Sequence, residues 1–239
     1  MNYVIGDIHG EISKLKSLIK YILIDDKEPT FIFIGDYIDK GEDSFETLRY
    51  LVQLSKQYAC VFLWGNHEYC WKNVTLYENY LVKYGGQKTI ESFGTNNIID
   101  TGNKMFDLFF DFFNCLKNYY TIHDYVIVHS GIPPKYFHLE IEKIEKIELL
   151  FNRYEFLKLQ QLYLDRYKII FGHTGFYTPY IDPYKIGIDT SACYIKEQPL
   201  TAFCVENRMF LDSFNNTTNI DNYPINTCPI IPRVKPWRY

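Results

Sequence analysis

The chain has 239 residues, of which 47% are hydrophobic and 23% are charged, and its formal net charge is −4. This length and balance are typical of one globular domain with a substantial core. The small negative charge excludes the basic footprint of a protein that grips a phosphate backbone, so no nucleic-acid partner is expected. No apolar run reaches the length of a membrane-spanning helix, so no membrane partner is expected either.

The cysteines and the amino terminus favour an intracellular protein. None of the six cysteines forms a C-x-x-C pair, and most lie in apolar or aromatic stretches, as is typical of reduced thiols. The chain passes from Met1 and Asn2 directly into an apolar strand, without the basic and apolar leader of a signal peptide. We therefore expect a cytoplasmic protein.

The first third of the chain alternates predicted strands and helices. Short apolar runs at 3–5, 31–34 and 59–64 predict buried strands, and apolar residues recur at helical spacing over 12–23 and 44–57. This β-α-β-α-β order predicts parallel strands joined by right-handed crossovers. The predicted fold class is therefore α/β, with ligands expected at the carboxyl ends of the strands.

The middle of the chain is predicted to be mostly helical from 67 to 116, with one helix over 104–116. A hairpin is predicted over 119–128, with its turn at His123 and Asp124, and one or two helices are predicted over 139–164. The later predicted strands span 168–171, 186–188, 200–205 and 209–212.

The last residues differ in composition from the rest. Residues 214–239 are rich in Asn, Thr and Pro and show no periodicity. We therefore predict one domain over 1–213, followed by an irregular carboxyl-terminal tail over 214–239.

Five short segments framed by glycine place potential metal ligands directly after predicted strands. They are GDIHG at 6–10, GDYIDKG at 35–41, GNHE at 65–68, HSG at 129–131 and GHT at 172–174. Each places Asp, His or Asn where a strand ends, and each uses Gly to turn the chain. Because such strand ends meet at one edge of a sheet, these side chains are expected to converge on one centre.

Six side chains in these segments are candidate metal ligands. They are Asp7, His9, Asp36, Asn66, His129 and His173. Carboxylates and imidazoles bind Zn, Mn or Fe, and an Asn carbonyl can complete an oxygen-rich site. In two-metal centres one carboxylate bridges cations about 3.5–4 Å apart, and Asp36 is the candidate. One such segment alone is more often a turn or a helix cap, whereas five in succession are a strong signal.

The order of these segments resembles the PPP family of phosphoprotein phosphatases, within the calcineurin-like metallophosphoesterases. That family's pattern is GDxHG, GDxVDRG, GNHE, a later His-Gly segment and GHT, and all five occur in order between residues 5 and 174. The segment YGGQKTIESF at 84–93 also resembles an insert of bacterial and phage members. The resemblance implies a central β-sandwich flanked by helices.

The resemblance assigns roles to the matching residues. The first metal would be held by Asp7, His9 and Asp36. The second metal would be held by Asp36, Asn66, His129 and His173. His67 would be the general acid, oriented by Asp39. Two divalent cations are implied, with Mn²⁺ expected and Fe or Zn as the alternatives.

Lys40, Arg153 and Asn66 are the candidates for binding the phosphate group. Where the family has Arg after the second Asp, this chain has Lys40; Arg binds phosphate bidentately, whereas Lys acts as a point charge. Arg153 resembles the later phosphate-binding Arg of bacterial members. A loop Lys is usually only solvated, and Arg153 could equally pair with Glu148 or Glu155 on a helix face.

The resemblance implies a phosphomonoesterase, most closely a protein Ser/Thr phosphatase acting on a phosphoprotein or phosphopeptide. A hydroxide bridging the metals would attack phosphorus directly, and His67 would protonate the leaving group. The same site serves phosphodiesterases and dinucleoside polyphosphate (Ap4A-type) hydrolases. Those hydrolases typically carry Gln where His9 stands, so His9 favours the phosphatases.

An alternative of another class is a non-catalytic scaffold that binds phosphoprotein. Such proteins usually lose metal ligands, whereas this chain retains all six candidates together with His67 and Asp39. The retained set favours an enzyme.

Overall fold

Two mixed β-sheets lie at the centre of the computed structural model, which describes residues 1–223 and residue 225. The strands of the first sheet are β1 (Asn2–Ile5), β2 (Thr30–Phe33), β3 (Ala59–Phe62), β9 (Thr201–Cys204), β10 (Met209–Asp212) and β11 (Thr217–Asn219). Those of the second are β4 (Tyr119–Ile122), β5 (Tyr125–Val128), β6 (Lys168–Phe171), β7 (Tyr180–Ile181) and β8 (Lys185–Gly187).

Three neighbouring parallel strands form one half of the first sheet and the middle of the second. The first sheet has the order β11-β10-β9-β1-β2-β3, and the second has the order β4-β5-β6-β8-β7. β1, β2 and β3 run parallel, and so do β5, β6 and β8. The α/β fold class and the central sandwich predicted from the sequence are therefore confirmed.

Helices cover the sandwich. They are α1 (Ile12–Asp25), α2 (Ser44–Ser55), α3 (Asn66–Lys72), α4 (Val74–Lys83), α5 (Gly86–Ser92), α6 (Ile98–Leu108), α7 (Phe110–Asn114), α8 (Lys146–Leu150) and α9 (Tyr154–Lys158). The two long amphipathic helices form where apolar residues recur at helical spacing, and α2 starts where the Asp43 carboxylate accepts the Glu46 N–H. Within the described residues, no helix is both long enough and apolar enough to cross a bilayer.

Buried apolar side chains cover both faces of the first sheet, because side chains alternate between the two faces along each strand. Val4 and Ile32 of the first sheet pack between the sheets with Ile127 and Ile170 of the second. The opposite face of the first sheet, including Phe31, packs against the helices. Burying both faces explains why the central strands are continuous apolar runs rather than alternating ones.

The helix predictions over 104–116 and 139–164 are wrong in their extent. The helix predicted over 104–116 is divided, because Phe109 has φ −115° and ψ 31° between α6 and α7. Most of 139–164 is irregular, with two five-residue helices and a 3₁₀ turn at Ile141–Lys143. Buried side chains there are too unevenly spaced to form one helical stripe.

The predicted irregular tail is also wrong at its start. Residues Thr217–Asn219 form β11, which pairs antiparallel with β10. Asp212 stabilises the turn between them by accepting the N–H groups of Phe214 and Asn216 at 2.9 and 3.0 Å. Residue 224 and residues 226–239, to which the same prediction applies, lie outside the described residues.

Candidate metal centre

Five strands lead into candidate ligands, and the two sheets share them. In the first sheet, β1, β2 and β3 lead into Asp7, Asp36 and Asn66. In the second sheet, β5 and β6 lead into His129 and His173. Because parallel strands end at the same edge, both sheets deliver donor atoms to one edge of the sandwich.

Two groups of donor atoms meet at Asp36. His9 and His67 complete one group with it, and His129 and His173 complete the other, with the donor atoms of each group within 4.8 Å of one another. Asp36 Oδ2 lies 3.3 Å from His9 Nε2, and Asp36 Oδ1 lies 3.5 Å from His129 Nε2. One carboxylate thus faces both groups, which is the arrangement that a bridging ligand requires.

The Asn66 side chain lies in the second group. Its Oδ1 is 2.9 Å from His129 Nε2 and 2.7 Å from His173 Nδ1, so three donor atoms converge. Its Nδ2 donates to the Tyr80 hydroxyl at 2.7 Å, which directs the amide oxygen towards the two imidazoles.

Backbone carbonyls orient the imidazoles of His9 and His129. His9 Nδ1 lies 2.9 Å from the Ile38 oxygen, and His129 Nδ1 lies 2.9 Å from the Ile34 oxygen. Donation from Nδ1 leaves the Nε2 lone pair of each ring on the side of Asp36, the usual way in which a protein prepares a metal-binding histidine.

Burial sets the protonation of these side chains. It lowers the pKa of His67 to about 4, lowers the pKa of His129, and lowers that of His173 well below its usual range. Burial opposes ionisation of Asp36, but the imidazoles of His129, His67 and His9 hold the pKa of that carboxyl well below its usual range. Neutral imidazole and ionised carboxylate are the forms that bind divalent cations, so this donor set fits metal.

Asp7 is not part of either donor group. Its two oxygens accept the His173 backbone N–H at 3.1 and 3.0 Å. Burial raises the pKa of Asp7 well above its usual range, and the neighbouring Asp189 and Asp36 carboxylates add to that shift. In this arrangement His67, and not Asp7, completes the first donor group with His9 and Asp36.

His67 and Asp39 form a short pair beside the donor groups. His67 Nδ1 lies 2.6 Å from Asp39 Oδ2, and His67 Nε2 lies 4.0 Å from Asp36 Oδ2. Asp39 also accepts from Trp71 Nε1 at 2.9 Å and from the Thr89 hydroxyl at 2.5 Å. The carboxylate that orients the imidazole is therefore itself held by two further donors.

Sequence reasoning assigned no role in the site to Trp71 or Thr89. Trp71 lies four residues after His67 and therefore on the same helix face. Thr89 lies inside the 84–93 segment that carried part of the family resemblance. The helical spacing of Trp71 and the position of Thr89 in that segment indicate that both lie near the site. Neither feature predicts a hydrogen bond to Asp39.

Glu68 was also missed, and it joins two of the glycine-framed segments. Its carboxylate accepts the backbone N–H groups of Asp36, Tyr37 and Gly65 at 2.9, 2.8 and 3.1 Å. Burial and the Asp36 charge raise the pKa of Glu68 to about 8, while these N–H groups lower it. Glu68 therefore sets how the loop after β2 sits against the loop after β3.

Lys40 reaches the first donor group. Its Nζ lies 2.7 Å from His9 Nε2 and 4.8 Å from the centre of the Tyr194 ring. Burial opposes the Lys40 charge, but Tyr194, Cys193 and Asp36 raise its pKa above the usual range. A Cβ on Gly85 would lie 2.7 Å from Lys40 Cγ, so the glycine gives this side chain its space. A solvated surface lysine is thereby ruled out.

Arg153 lies at the start of α9, near the second donor group. It is half-buried, and its charge lowers the pKa of both His173 and His129. Glu148, one of its possible helix partners, pairs instead with Lys135 at 3.0 Å. Lys40 and Arg153 therefore approach the centre from opposite donor groups.

The backbone of the centre is left-handed at several side chains. Positive φ angles between 47° and 71° occur at His9, Asp36, Asp39, Lys40 and His173. Each costs about 1–2 kcal/mol relative to ordinary backbone, and such strain concentrates at functional sites. At Gly35, with φ 101°, a Cβ would lie 2.5 Å from the Gly65 nitrogen, so two of the glycine-framed segments touch there.

The family model for calcineurin-like phosphoesterases matches residues 3–210. A symmetrical bis(5'-nucleosyl)-tetraphosphatase of Pseudomonas putida is 27% identical over 138 residues, which are 56% of this chain and 43% of that protein. The serine/threonine-protein phosphatase SIT4 of Candida albicans is 38% identical over 91 residues, which are 34% of this chain and 28% of that protein. The matched stretches thus span less than half the length of these relatives.

Solved structures show the same fold. The crystal structure of a cold-active protein-tyrosine phosphatase from a psychrophilic Shewanella species superposes with a TM-score of 0.67. The superposition covers 91% of this chain and 79% of that one, at 16% sequence identity. At this identity the similarity supports the fold alone.

Proposed function

The chain belongs to the calcineurin-like phosphoesterase family, and from that premise we propose that it is a protein Ser/Thr phosphatase. It would hydrolyse phosphate monoesters on phosphoproteins or phosphopeptides with two divalent cations, for which Mn²⁺ is our choice. The observation that carries the proposal is the 2.6 Å His67–Asp39 pair, placed beside a carboxylate shared by two donor groups.

The residues that would hold the cations are those that converge at the sheet edge. One position would use Asp7, His9 and Asp36. The other would use Asp36, Asn66, His129 and His173. Bound there, divalent cations activate water and offset the negative charge that develops on the phosphate.

His67 is placed to donate a proton to the leaving oxygen. Asp39 holds the Nδ1 side of the ring, so Nε2 points at the centre. The pKa of about 4 would leave the ring neutral near pH 7. A phosphate dianion beside the ring raises that pKa, because an opposite charge favours the imidazolium. The substrate itself therefore supplies the charge that keeps the acid protonated.

Lys40 and Arg153 would bind the phosphate oxygens. Their charges flank the two donor groups, and both electrostatically affect the histidines there. Cations on either side of a phosphoryl group neutralise the charge that the ester carries into the reaction. Because Lys40 also contacts His9 Nε2, it must swing away from that nitrogen when His9 binds a cation.

A dinucleoside polyphosphate hydrolase is the second candidate function. It is favoured by the similarity to the Pseudomonas putida tetraphosphatase. The similarity to SIT4 and the presence of His9 in the first segment favour the phosphatase. Both candidate functions use the same metal centre. They differ in the part of the substrate attached to the phosphate, which is a peptide in one case and a nucleotide in the other.

Turnover of p-nitrophenyl phosphate with Mn²⁺ tests the enzyme against the scaffold alternative. We expect activity that chelation abolishes. His67→Asn should lower turnover of an alkyl phosphate by about 10²–10⁴-fold, since general acid catalysis contributes that much. The loss on the aryl ester should be smaller, because p-nitrophenolate leaves without a proton. Wild-type turnover of the alkyl ester by the variant would remove His67 from the mechanism.

A panel of phosphopeptides, Ap4A and bis-p-nitrophenyl phosphate separates the two enzymatic candidates. The proposal predicts the highest kcat/KM on phosphoserine or phosphothreonine peptides. A preference for Ap4A would instead establish the second candidate.

A further inference from the structure

Four half-buried aromatic rings lead away from the metal centre. The Phe151 ring centre lies 6.5 Å from that of His173, and the Tyr80 ring lies 5.7 Å from His67. Phe151 in turn contacts Tyr69 at 6.3 Å and Tyr77 at 6.4 Å. We call Tyr69, Tyr77, Tyr80 and Phe151 the aromatic row. Each ring keeps part of its surface in solvent, so the row offers an exposed aromatic path that starts beside His67 and His173.

Two lysines lie just beyond the aromatic row. Lys72 is one helical turn after Tyr69 on α3, and Lys146 begins α8, the helix that ends beside Phe151. Both ammonium groups lie over one ring, with Lys72 Nζ 5.2 Å and Lys146 Nζ 4.3 Å from the centre of Trp64. We call Lys72 and Lys146 the lysine pair.

The lysine pair lacks an acidic partner among residues 1–223. Lysines such as Lys14, Lys88, Lys135 and Lys185 each pair with a carboxylate, whereas no such pair joins Lys72 or Lys146 to an acidic residue of this part of the chain. Burial and the charge of Lys72 lower the pKa of Lys146, and no carboxylate offsets them. Two ammonium groups over one indole ring create a local excess of positive charge, and an external anion bound there would reduce their repulsion.

The spacing indicates what kind of anion fits. From the His173 ring the path passes Phe151 and Tyr69, at 6.5 and 6.3 Å per step. It then rises about 4.5 Å along α3 to Lys72. An extended peptide advances about 3.3 Å per residue, so the lysine pair lies about five residues from a phosphate in the centre.

We propose that the aromatic row and the lysine pair form a docking surface for an acidic segment of a phosphoprotein substrate. This rests on the proposed function and adds a sequence preference to it. Acidic residues about five positions from the phosphoresidue bind Lys72 and Lys146. Side chains between them pack on the row. Charge complementarity here selects among substrates and speeds their encounter with the enzyme.

The test compares two phosphoserine peptides on the full chain with Mn²⁺. One peptide carries Glu at the fourth to sixth positions from phosphoserine, on both sides, and the other carries Ala there. The variant is Lys72→Glu with Lys146→Glu. The matched control is Lys16→Glu. The Lys16 Nζ also lies over an aromatic ring, 5.6 Å from the centre of Tyr50, and that ring is not part of the aromatic row.

We expect the wild type to prefer the acidic peptide by about tenfold in kcat/KM, and the double variant to lose that preference. Both variants should retain wild-type turnover of p-nitrophenyl phosphate, which also reports correct folding. Should the double variant fold poorly, Lys72→Met with Lys146→Met takes its place. Equal use of both peptides by the wild type, or an unchanged preference in the variant, would overturn the docking surface.

The same data separate this proposal from the proposed function. No turnover of p-nitrophenyl phosphate, or a preference for Ap4A, would refute the proposed function. Turnover of phosphopeptides without an acidic preference would refute the docking surface alone. A double variant weakened equally on Ap4A and on the acidic peptide would show that the lysines bind polyanions in general, which also overturns a peptide-docking role.

Discussion

At the scale of single residues, the centre depends on hydrogen bonds to groups that never touch a cation. Asp39 holds His67, but Trp71 and Thr89 hold Asp39. An imidazole that must face a phosphate needs its ring plane fixed, and a carboxylate with only one partner can rotate. The three donors on Asp39 remove that freedom before substrate arrives.

Thr89→Val tests this positioning. The change removes the hydroxyl that donates to Asp39 and accepts its backbone N–H at 3.1 Å, while it keeps the shape of the side chain. We expect kcat on an alkyl phosphate to fall about tenfold, as for other partners of active-site ligands, with a smaller loss on p-nitrophenyl phosphate. Thr95→Val, which alters a threonine that bonds Thr101 away from the centre, is the control. Equal losses on both esters would indicate general damage instead of a misplaced acid.

Two substitutions of Lys40 test whether this side chain binds the phosphate. Lys40→Arg should leave KM unchanged or lower it, since a guanidinium can bind two phosphate oxygens at once. Lys40→Met should raise KM about 10–100-fold, because a charge-assisted hydrogen bond contributes about 1.5–3 kcal/mol. Steady-state kinetics on one phosphopeptide measures both. A severe loss in Lys40→Arg would mean that the snug contact with Gly85 excludes the larger group.

At the scale of elements, the strands and their terminal ligands were the most predictable part. A strand buried on both faces is a short apolar run, and the polar residue that ends it is conspicuous. That is why Asp36, Asn66 and His173 could be named and assigned to one edge. β11 could not be found in this way, because its Thr-Thr-Asn sequence has no apolar alternation and depends on the Asp212 turn.

Contacts between elements were far less predictable. Glu68 follows His67 in the sequence, yet two of its three partners are backbone N–H groups about 30 residues away. No periodicity encodes such a bond. The insertion of β9 beside β1, antiparallel to it, is likewise a result of packing that the strand pattern leaves open.

Glu68→Gln tests the link between the loops after β2 and β3. An amide has one acceptor oxygen, so at least one of the three backbone N–H groups would face an NH₂ group. An unsatisfied buried donor costs about 1–3 kcal/mol. For a chain of this size that lowers Tm by about 2–4 °C per kcal/mol in thermal unfolding. Glu91→Gln, on the exposed side of α5, should leave Tm unchanged. A Glu68→Gln protein as stable as the wild type would show that the carboxylate is dispensable there.

At the scale of the whole molecule, the donor groups connect the two sheets. Asp36 and Asn66 come from the first sheet, whereas His129 and His173 come from the second. These donors are far apart in the sequence and come together only when the chain folds. A cation would therefore bind the folded chain and not the unfolded one. The sandwich and its metals would therefore unfold as one unit.

Thermal unfolding with increasing Mn²⁺ checks this coupling without measuring activity. At a concentration about 100 times Kd, binding adds about 2.7 kcal/mol of stability. We expect Tm to rise with Mn²⁺ and chelation to reverse the rise. His129→Ala should lose much of the shift, and His123→Ala, at the exposed hairpin turn, should keep it. A Tm that does not change with Mn²⁺, or a full Mn²⁺-dependent rise in Tm for His129→Ala, would contradict binding at this centre.

The left-handed backbone at His9, Asp36, Asp39, Lys40 and His173 has a consequence for laboratory evolution. Glycine tolerates that conformation without steric cost, so replacing one of these residues relieves local strain while removing chemistry. A population selected only for heat resistance would drift towards glycine at these positions and lose turnover long before it lost its shape. Engineering of this scaffold must therefore select for hydrolysis and melting temperature together from the first round.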